Sequence, residues 1–306
     1  METNLSYRNE IGAELYRALF GGLSSAIQSK RRWLLTTDDD VFELPFAALV
    51  MRTDGDGPRY LVEEHSTERT PSAFLLSRTS GMPARGKFLG IGDGIYNTAD
   101  PRWAQKPGIR SPLQLPRLVA SEQELKSCAA LWPDEARLLT GANASRSELE
   151  AAIQAPPAVL HIAAHFLYPP GKPDEAFINL GLGRSGESEL LTREDIGNFS
   201  VPGTIVILSG CSSAAGSAAG AGVMGLSRAW LIAGAAVVIG SRWPTPDDTG
   251  ELFKNLYQRL RANSKSSRVV SDVTDSLRLA QIDLLRSNTW RSNPSYWAAF
   301  YVLGKD

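Results

Sequence analysis

The sequence predicts an α/β fold built on a mostly parallel sheet, and two observations carry that prediction. From about residue 87 onward, short apolar runs of strand length alternate with segments of helical periodicity. The runs are almost continuously apolar, which is typical of strands buried on both faces. Because strands separated by helices of this length lie parallel, we expect one sheet with helices on both of its faces.

The composition is that of a globular chain and argues against several function classes. With 306 residues, 43% hydrophobic and 21% charged, the chain is long enough for one large domain or for a domain with a smaller partner. A formal net charge of −1 gives no electrostatic reason to expect nucleic acid or an anionic membrane as a partner. Neither a membrane-spanning apolar run nor a signal peptide is visible, so we expect a cytoplasmic protein.

The chain has two cysteines, Cys128 and Cys211, and neither lies in a close Cys/His cluster. This argues against a disulfide framework and a structural zinc site, and we expect neither a metal nor a cofactor. Cys128 lies among alanines in a predicted helix and is expected to be core packing.

Residues 1–80 have a different character from the rest. Ile11, Leu15, Ala18 and Phe20 mark an amphipathic helix, and short apolar segments around Trp33 suggest strands. No ionisable constellation stands out there, and His65, in a polar stretch, is expected at the solvent-exposed surface. We therefore predict a small N-terminal α+β subdomain, 1–80, that packs on a catalytic domain, 81–306.

The first elements of the catalytic domain have recognisable start signals. Lys87–Gly92 reads as the first strand. Ser121 and Glu124 have the spacing of a capping box at the start of a helix, and Ser145 and Glu148 repeat that box before an Ala-rich helix.

Two later runs, Val159–His165 and Ile205–Cys211, each end in a reactive side chain. Open α/β sheets place their chemistry at the C-terminal edge, so these two ends can meet in space. The pair is a candidate cysteine nucleophile with its histidine base. His161 lies on the same run as His165 and is expected to be a buried support residue.

A Gly-rich segment between these runs, Gly181–Gly186, matches the dinucleotide fingerprint GxGxxG. That fingerprint requires a helix to begin at the last glycine, whereas Glu187–Leu191 looks like a returning strand. We therefore predict a β-hairpin and not a cofactor site.

The rest of the chain continues the alternation. A small-residue loop, 214–221, follows Cys211 and is expected to be mobile until an activator or a substrate orders it. Further elements are expected in this order: an apolar helical face at 226–233, a strand at Ala235–Ser241, helical faces at 253–260 and 270–284, and a closing apolar segment at Tyr296–Leu303.

Several of these segments resemble, in order, the motifs of the CHAT domain, a caspase-like family related to separase. The matching segments are His161–His165, Leu208–Cys211, Gly222–Ala229, Ala233–Ala235, Ser241–Pro244 and Tyr296–Phe300. The resemblance implies a caspase/hemoglobinase-like α/β/α sandwich with cysteine endopeptidase activity. It also implies coupling, in bacteria, to helical-repeat sensors or to defence systems.

The resemblance assigns roles to named positions. Cys211 is the nucleophile, His165 is its general base and acid, and the backbone N–H groups of Cys211 and Phe166 form the oxyanion hole. Relatives usually carry Gly where this chain has Phe166.

Relatives that cleave after basic residues use an acidic side chain in the pocket for the P1 residue. Asp247 is the first candidate for that role and Asp93 the second. Two simpler readings stay open: Asp247 or Asp248 caps the following helix, and Asp93 closes a turn.

The sequence therefore predicts a cysteine endopeptidase that cleaves a specific protein, after a basic P1 residue, in bacterial defence or regulated proteolysis. An activating sensor or a helical-repeat protein is the expected partner. The alternative is a non-catalytic pseudo-protease that binds a peptide in the same groove. A third option, hydrolysis of small esters or amides, fits the same dyad.

Overall fold

The computed structural model describes residues 2–37, 41, 44–54, 57–70, 86–104, 113–132, 134–169, 175–210, 219–243, 245–247, 250–263 and 269–304.

Within these residues, eight strands form the central sheet in the order β1-β4-β13-β12-β11-β7-β5-β6. The bounds, in sheet order, are Arg32–Leu35, Ser66–Arg69, Phe300–Gly304, Val237–Ser241, Ile205–Ser209, Val159–Ala163, Phe88–Gly94 and Ala136–Gly141. Neighbouring strands are parallel except for β13, which pairs antiparallel with β12. The predicted mostly parallel sheet is confirmed.

Two small antiparallel sheets accompany it, β10-β9-β8 and β2-β3. Their strands span β8 His165–Leu167, β9 Phe177–Leu182, β10 Ser188–Leu191, β2 Val50–Asp54 and β3 Gly57–Tyr60. The Gly-rich segment forms the turn between β9 and β10, where the Gly183 N–H donates to the Glu187 carbonyl at 2.8 Å. The predicted hairpin is confirmed.

The helices in chain order are α1 Glu2–Phe20, α2 Ser25–Gln28, α3 Leu61–Glu64, α4 Val119–Leu131, α5 Arg146–Ile153, α6 Arg193–Gly197, α7 Ala219–Ile232, α8 Gly250–Asn263, α9 Val269–Leu285 and α10 Pro294–Trp297. Short 3₁₀ turns cover Phe46–Ala48 and Trp290–Ser292.

One of the two predicted helix starts is correct. The Ser145 hydroxyl accepts the Glu148 N–H at 3.3 Å and caps α5. The other is wrong, because α4 begins at Val119 and both Ser121 and Glu124 lie inside it. Within the helix, Ser121 accepts the Asp93 N–H and Glu124 binds His161, so both side chains contact neighbouring strands.

Alternate residues of the central strands enter two separate apolar clusters. On β11, Ile205 and Ile207 join one cluster, while Val206 and Leu208 join the other. Because successive side chains of a strand point to opposite faces, the clusters lie on opposite sides of the sheet. Helices α5 to α7 contribute to one cluster, and α4, α8 and α9 to the other. The sheet is thus the middle layer of an α/β/α sandwich.

The N-terminal segment extends this sheet at one edge through β1 and β4. Its own apolar cluster includes Tyr16, Phe20 and Trp33. The predicted apolar face of α1 is correct at Phe20, which is buried, and wrong at Ile11, which is 38% exposed, while Tyr16 is buried in addition. The boundary predicted near residue 80 lies in 71–85, outside the described residues, and stays a prediction.

The expected surface position of His65 is wrong. It is only 4% exposed, its Nδ1 donates to the Lys30 carbonyl at 2.8 Å, and its ring stacks on Trp33 at 4.2 Å. The reason is the parallel pairing of β1 with β4, which brings the residue before β4 against Trp33.

Cys128 is fully buried in α4, and burial raises the pKa of its thiol well above the ordinary value. The expectation that it is core packing is confirmed. Among the helices built from described residues, none has the length and apolar character required to cross a bilayer.

Candidate active site

Three of the predicted site residues, Asp93, His165 and Asp247, lie at one edge of the central sheet. Strands β5, β7, β11 and β12 are parallel neighbours, so their C-terminal ends lie side by side. Asp93 is the second-last residue of β5, His165 lies two residues after the end of β7, and Asp247 follows β12. Cys211 and residues 214–218 of the predicted loop lie outside the described residues, and residues 219–221, also predicted as loop, belong to helix α7.

The strands that lead to His165 and Cys211 stay paired to their ends. Ser209 is in register with Ala163, and the Ala164 N–H donates to the Ser209 carbonyl at 3.2 Å. The predicted single strand up to His165 is interrupted at Ala164, and His165 opens β8 in the three-stranded sheet.

Gly210 packs directly against the histidine segment. A Cβ added there would lie 2.1 Å from the Phe166 ring and 2.3 Å from the Ala164 carbonyl oxygen. Such approaches are far below contact distance, so only glycine fits. The residue before Cys211 therefore touches both chain neighbours of His165.

The His165 ring is held by a backbone carbonyl. It is 1% exposed, and its Nε2 lies 2.8 Å from the carbonyl oxygen of Pro116. A carbonyl oxygen only accepts, so Nε2 carries the proton, and Nδ1 is the basic nitrogen of the neutral ring. The ring of Tyr96 meets the imidazole edge to face at 4.5 Å.

Burial lowers the pKa of His165 below its ordinary value, and the hydrogen bond to Pro116 opposes that shift. The neutral, basic form is therefore favoured at pH 7. Sequence reasoning missed Pro116, because a backbone acceptor has no residue-type signature.

Asp93 is buried inside an ion-pair cluster. Arg117 bonds both of its carboxylate oxygens at 2.8 Å, and Arg102 approaches them at 2.6 and 3.3 Å. Arg102 also binds Asp100, and this hydrogen bond lowers the pKa of the Asp100 carboxyl. The carboxylate predicted as a second P1 acid is thus engaged by two guanidinium groups of the same chain.

Asp247 is the first candidate for the acid of the P1 pocket, and that role stays a prediction. Its Oδ2 accepts the Ala120 N–H at 3.0 Å, in the first turn of α4. It therefore contacts the start of a helix 127 residues away in sequence. Asp248 lies outside the described residues.

A small pocket opens beside Gly210 and contains two carboxylates. Its lining residues are Leu118, Ser121, Glu124, Ala163, Ser209, Gly210, Pro246 and Asp247. Glu124 was missed as a site residue, since its spacing from Ser121 was interpreted as a helix cap. None of the residues lining the pocket is basic, so its character is acidic.

Glu124 also anchors His161. Its Oε1 accepts from His161 Nε2 at 2.9 Å, and the Tyr257 hydroxyl lies 3.1 Å from His161 Nδ1. His161 is completely buried. The prediction that it is a buried support residue is confirmed.

Phe166, the predicted oxyanion donor, is 3% exposed and lies in register with Ile178 across β8 and β9. Its role in an oxyanion hole stays a prediction. In the described part of the chain, no three His, Cys, Asp or Glu side chains converge in a way that would hold a metal ion.

Several solved structures share this fold. The Arg-specific cysteine proteinase gingipain R (RgpB) aligns with a TM-score of 0.51 and 7% identity, over 97% of this chain and 66% of that chain. The pro- and mature domains of RgpB from Porphyromonas gingivalis give the same TM-score. Saccharomyces cerevisiae separase, in its complex with securin, aligns with a TM-score of 0.50 and 14% identity, over 86% of this chain and 15% of that chain.

Among curated proteins, human tetratricopeptide repeat protein 28 is 30% identical over 118 residues. The alignment covers 38% of this chain and 4% of that protein, and the mouse protein of the same name matches over the same length. A family model described as the CHAT domain matches residues 9–305. Because that match spans nearly the whole chain, this protein belongs to the CHAT domain family, and its fold is the α/β/α sandwich of caspase-like cysteine proteinases.

Proposed function

We propose that this CHAT protein is a cysteine endopeptidase in which His165 activates Cys211. One observation carries the proposal: Gly210 packs on Ala164 and Phe166, the two neighbours of His165. Cys211 follows Gly210 by one peptide bond, which limits the distance between their Cα atoms to about 3.8 Å. The family membership supports the same pairing.

The proposed reaction uses the basic nitrogen of His165. Nδ1 takes the proton of the Cys211 thiol, and the thiolate attacks the carbonyl carbon of the scissile peptide bond. The C–N bond then breaks, the imidazolium gives its proton to the departing amine, and an acyl-enzyme thioester remains. His165 next takes a proton from water, and the hydroxide cleaves the thioester to release the acid and the thiol.

Charge develops on the peptide oxygen during the attack. We propose that the backbone N–H groups of Cys211 and Phe166 stabilise it, as in the family's predicted oxyanion hole. The packing of Phe166 on Gly210 keeps these two segments in contact.

For specificity, we propose a basic P1 residue that enters the pocket beside Gly210. Asp247 and Glu124 line that pocket, so the guanidinium of Arg or the ammonium of Lys would gain a charge-assisted hydrogen bond there. The pocket has a volume of about 10 Å³, about the room of one water molecule, which is less than either side chain needs. We therefore propose that the Pro246–Asp247 segment moves outward when a substrate binds.

A pocket this narrow is typical of a peptidase that is inactive until a partner activates it. We propose a protein partner, and the match to a tetratricopeptide repeat protein favours a helical-repeat one. The predicted role in bacterial defence and the cytoplasmic location stay predictions.

A second candidate function is peptide binding without turnover. The observation that favours it is the same match, since that relative is named for its repeats and not for an activity.

The test is cleavage of a mixed peptide library, read by mass spectrometry, for the wild type, Cys211→Ala and His165→Ala, with Cys128→Ala as the matched cysteine control. We expect cleavage after Arg or Lys by the wild type and by Cys128→Ala, and none by the other two variants. A further variant, Asp247→Asn, should reduce the preference for basic P1 residues. Peptides that bind wild type and Cys211→Ala equally, with no cleavage, would support the binding module.

A further inference from the structure

The loop that carries Pro116 is unusually well anchored for a segment without secondary structure. On one side, the Leu115 N–H donates to the Tyr96 carbonyl at 3.3 Å, and Asn97 Nδ2 donates to the Leu115 carbonyl at 2.8 Å. On the other side, the Leu118 carbonyl accepts the Ser121 hydroxyl at 2.8 Å. The loop is therefore held on both flanks of the carbonyl that His165 contacts.

Between these anchors, Arg117 makes the strongest contact. Its Nε and Nη2 donate to the two carboxylate oxygens of Asp93, at 2.8 Å each. A bidentate pair between planar groups fixes orientation as well as distance. Since Pro116 and Arg117 share a peptide bond, fixing the Arg117 side chain restrains the Pro116 carbonyl.

Asp93 is itself fixed from several directions. Arg102 binds the carboxylate and the backbone carbonyl of Asp93. The backbone N–H of Asp93 donates to the Ser121 hydroxyl at 3.0 Å. Its backbone has φ +46°, a conformation that costs energy in a residue with a side chain and persists only where the surroundings impose it. Strand β5 thus ends in a rigid platform, 1% exposed, that receives the Arg117 guanidinium.

We propose that Arg117 and Asp93 are positioning residues that hold the Pro116 carbonyl against His165, and so keep Nδ1 as the basic nitrogen facing the nucleophile. This inference rests on the proposed function. It assigns Asp93 to the support of the histidine and leaves P1 recognition to the pocket beside Gly210. Neither residue touches the reacting atoms.

The test compares Arg117→Lys and Asp93→Asn with a matched control, Arg259→Lys. Arg259 also binds both carboxylate oxygens of an aspartate, Asp283, at 2.9 and 2.7 Å, but on helices α8 and α9. The chain contains three histidines, so side-chain ¹⁵N NMR of the full-length protein can report the tautomer and the titration of His165 individually.

In the wild type we expect a neutral His165 protonated on Nε2. Arg117→Lys and Asp93→Asn should mix the two tautomers and lower kcat by roughly 10–100-fold with little change in KM, as for other supports of catalytic groups. Arg259→Lys should change neither. Arg117→Lys keeps the charge but not the bidentate geometry, and it provides a folded variant if Asp93→Asn does not fold.

The inference is overturned if folded Arg117→Lys shows the wild-type His165 tautomer, titration and kcat. A different result would refute the proposed function instead. In that case the wild-type protein would show the expected His165 tautomer but no cleavage that depends on Cys211. The NMR signal requires no turnover, so the two failures are distinguishable.

Discussion

His161 and His165 are four residues apart, yet the two ends of this short segment are built for different tasks. In the middle of β7, His161 is completely buried and both of its ring nitrogens face side-chain partners, Glu124 and Tyr257. Beyond the end of the strand, His165 has Nε2 on the backbone carbonyl of Pro116 and lies at the sheet edge. A histidine enclosed by side chains stabilises the fold, whereas one oriented by a backbone carbonyl keeps a defined basic nitrogen for chemistry.

The largest expected difference concerns catalysis. His165→Ala removes the general base, and kcat/KM for a cleaved peptide should fall by roughly 10³-fold, within the range of a lost acid–base group. The midpoint of thermal unfolding should also decrease, because the His165 ring is buried and its removal leaves a cavity beside Tyr96, so kcat/KM is measured below that midpoint. Activity that survives this substitution would remove His165 from the mechanism.

The second difference concerns stability. His161→Ala leaves a cavity between Phe253 and Tyr257 and takes a hydrogen bond from the buried carboxylate of Glu124. We expect a loss of roughly 3–5 kcal/mol in the free energy of unfolding, measured by urea denaturation. His161→Gln, which keeps a donor, should lose less. An unchanged urea midpoint in His161→Ala would show that the network does not support the sheet.

A third prediction concerns the contact between the two site segments. Gly210→Ala forces a methyl group into the Phe166 ring and the Ala164 carbonyl, and overpacking of this kind costs about 1–3 kcal/mol. The variant should also lose most of its peptidase activity, because the substitution displaces the segment that leads to Cys211. Gly22→Ala is the control, because no atom lies within 4 Å of a Cβ at that exposed position. Equal behaviour of the two variants would contradict the packing described for Gly210.

The smallest effect is in the pH dependence. His165 must be neutral to act as a base, and burial lowers its pKa, so kcat/KM should stay high to below pH 6.5 before it falls. The unfolded chain binds this proton near pH 6.5 and the folded chain only at lower pH. The free energy of unfolding should therefore decrease as the pH is lowered through that window. The decrease should be smaller in folded His165→Gln. An acid limb above pH 6.5 would contradict the buried environment of His165.

The sequence predicted the parts of the fold that depend on apolar periodicity. Runs such as Ile205–Ser209 predict buried strands, because a strand covered on both faces must be apolar on both. The alternation of these runs with helices predicts a parallel sheet. The reactive ends of these runs were predictable for the same reason, since parallel strands present their C-terminal ends at one edge.

Features that depend on a tertiary contact were not predictable. The strand break at Ala164 lies within small apolar residues that suit a continuous strand equally well. Pro116 acts through its backbone, which every residue has. His65 was misplaced because its sequence neighbours are polar, while its burial comes from a strand pairing with residues far away in the chain.

The most direct test of the central claim is the pH dependence of Cys211 alkylation by iodoacetamide, followed by peptide mass spectrometry in the wild type and in His165→Ala. Cys128, buried in α4, is the internal control in both proteins. If His165 activates Cys211, the wild-type thiol should react rapidly well below its ordinary pKa of about 8.5, and His165→Ala should shift the profile back toward that value. Identical profiles in the two proteins would contradict a Cys211–His165 dyad.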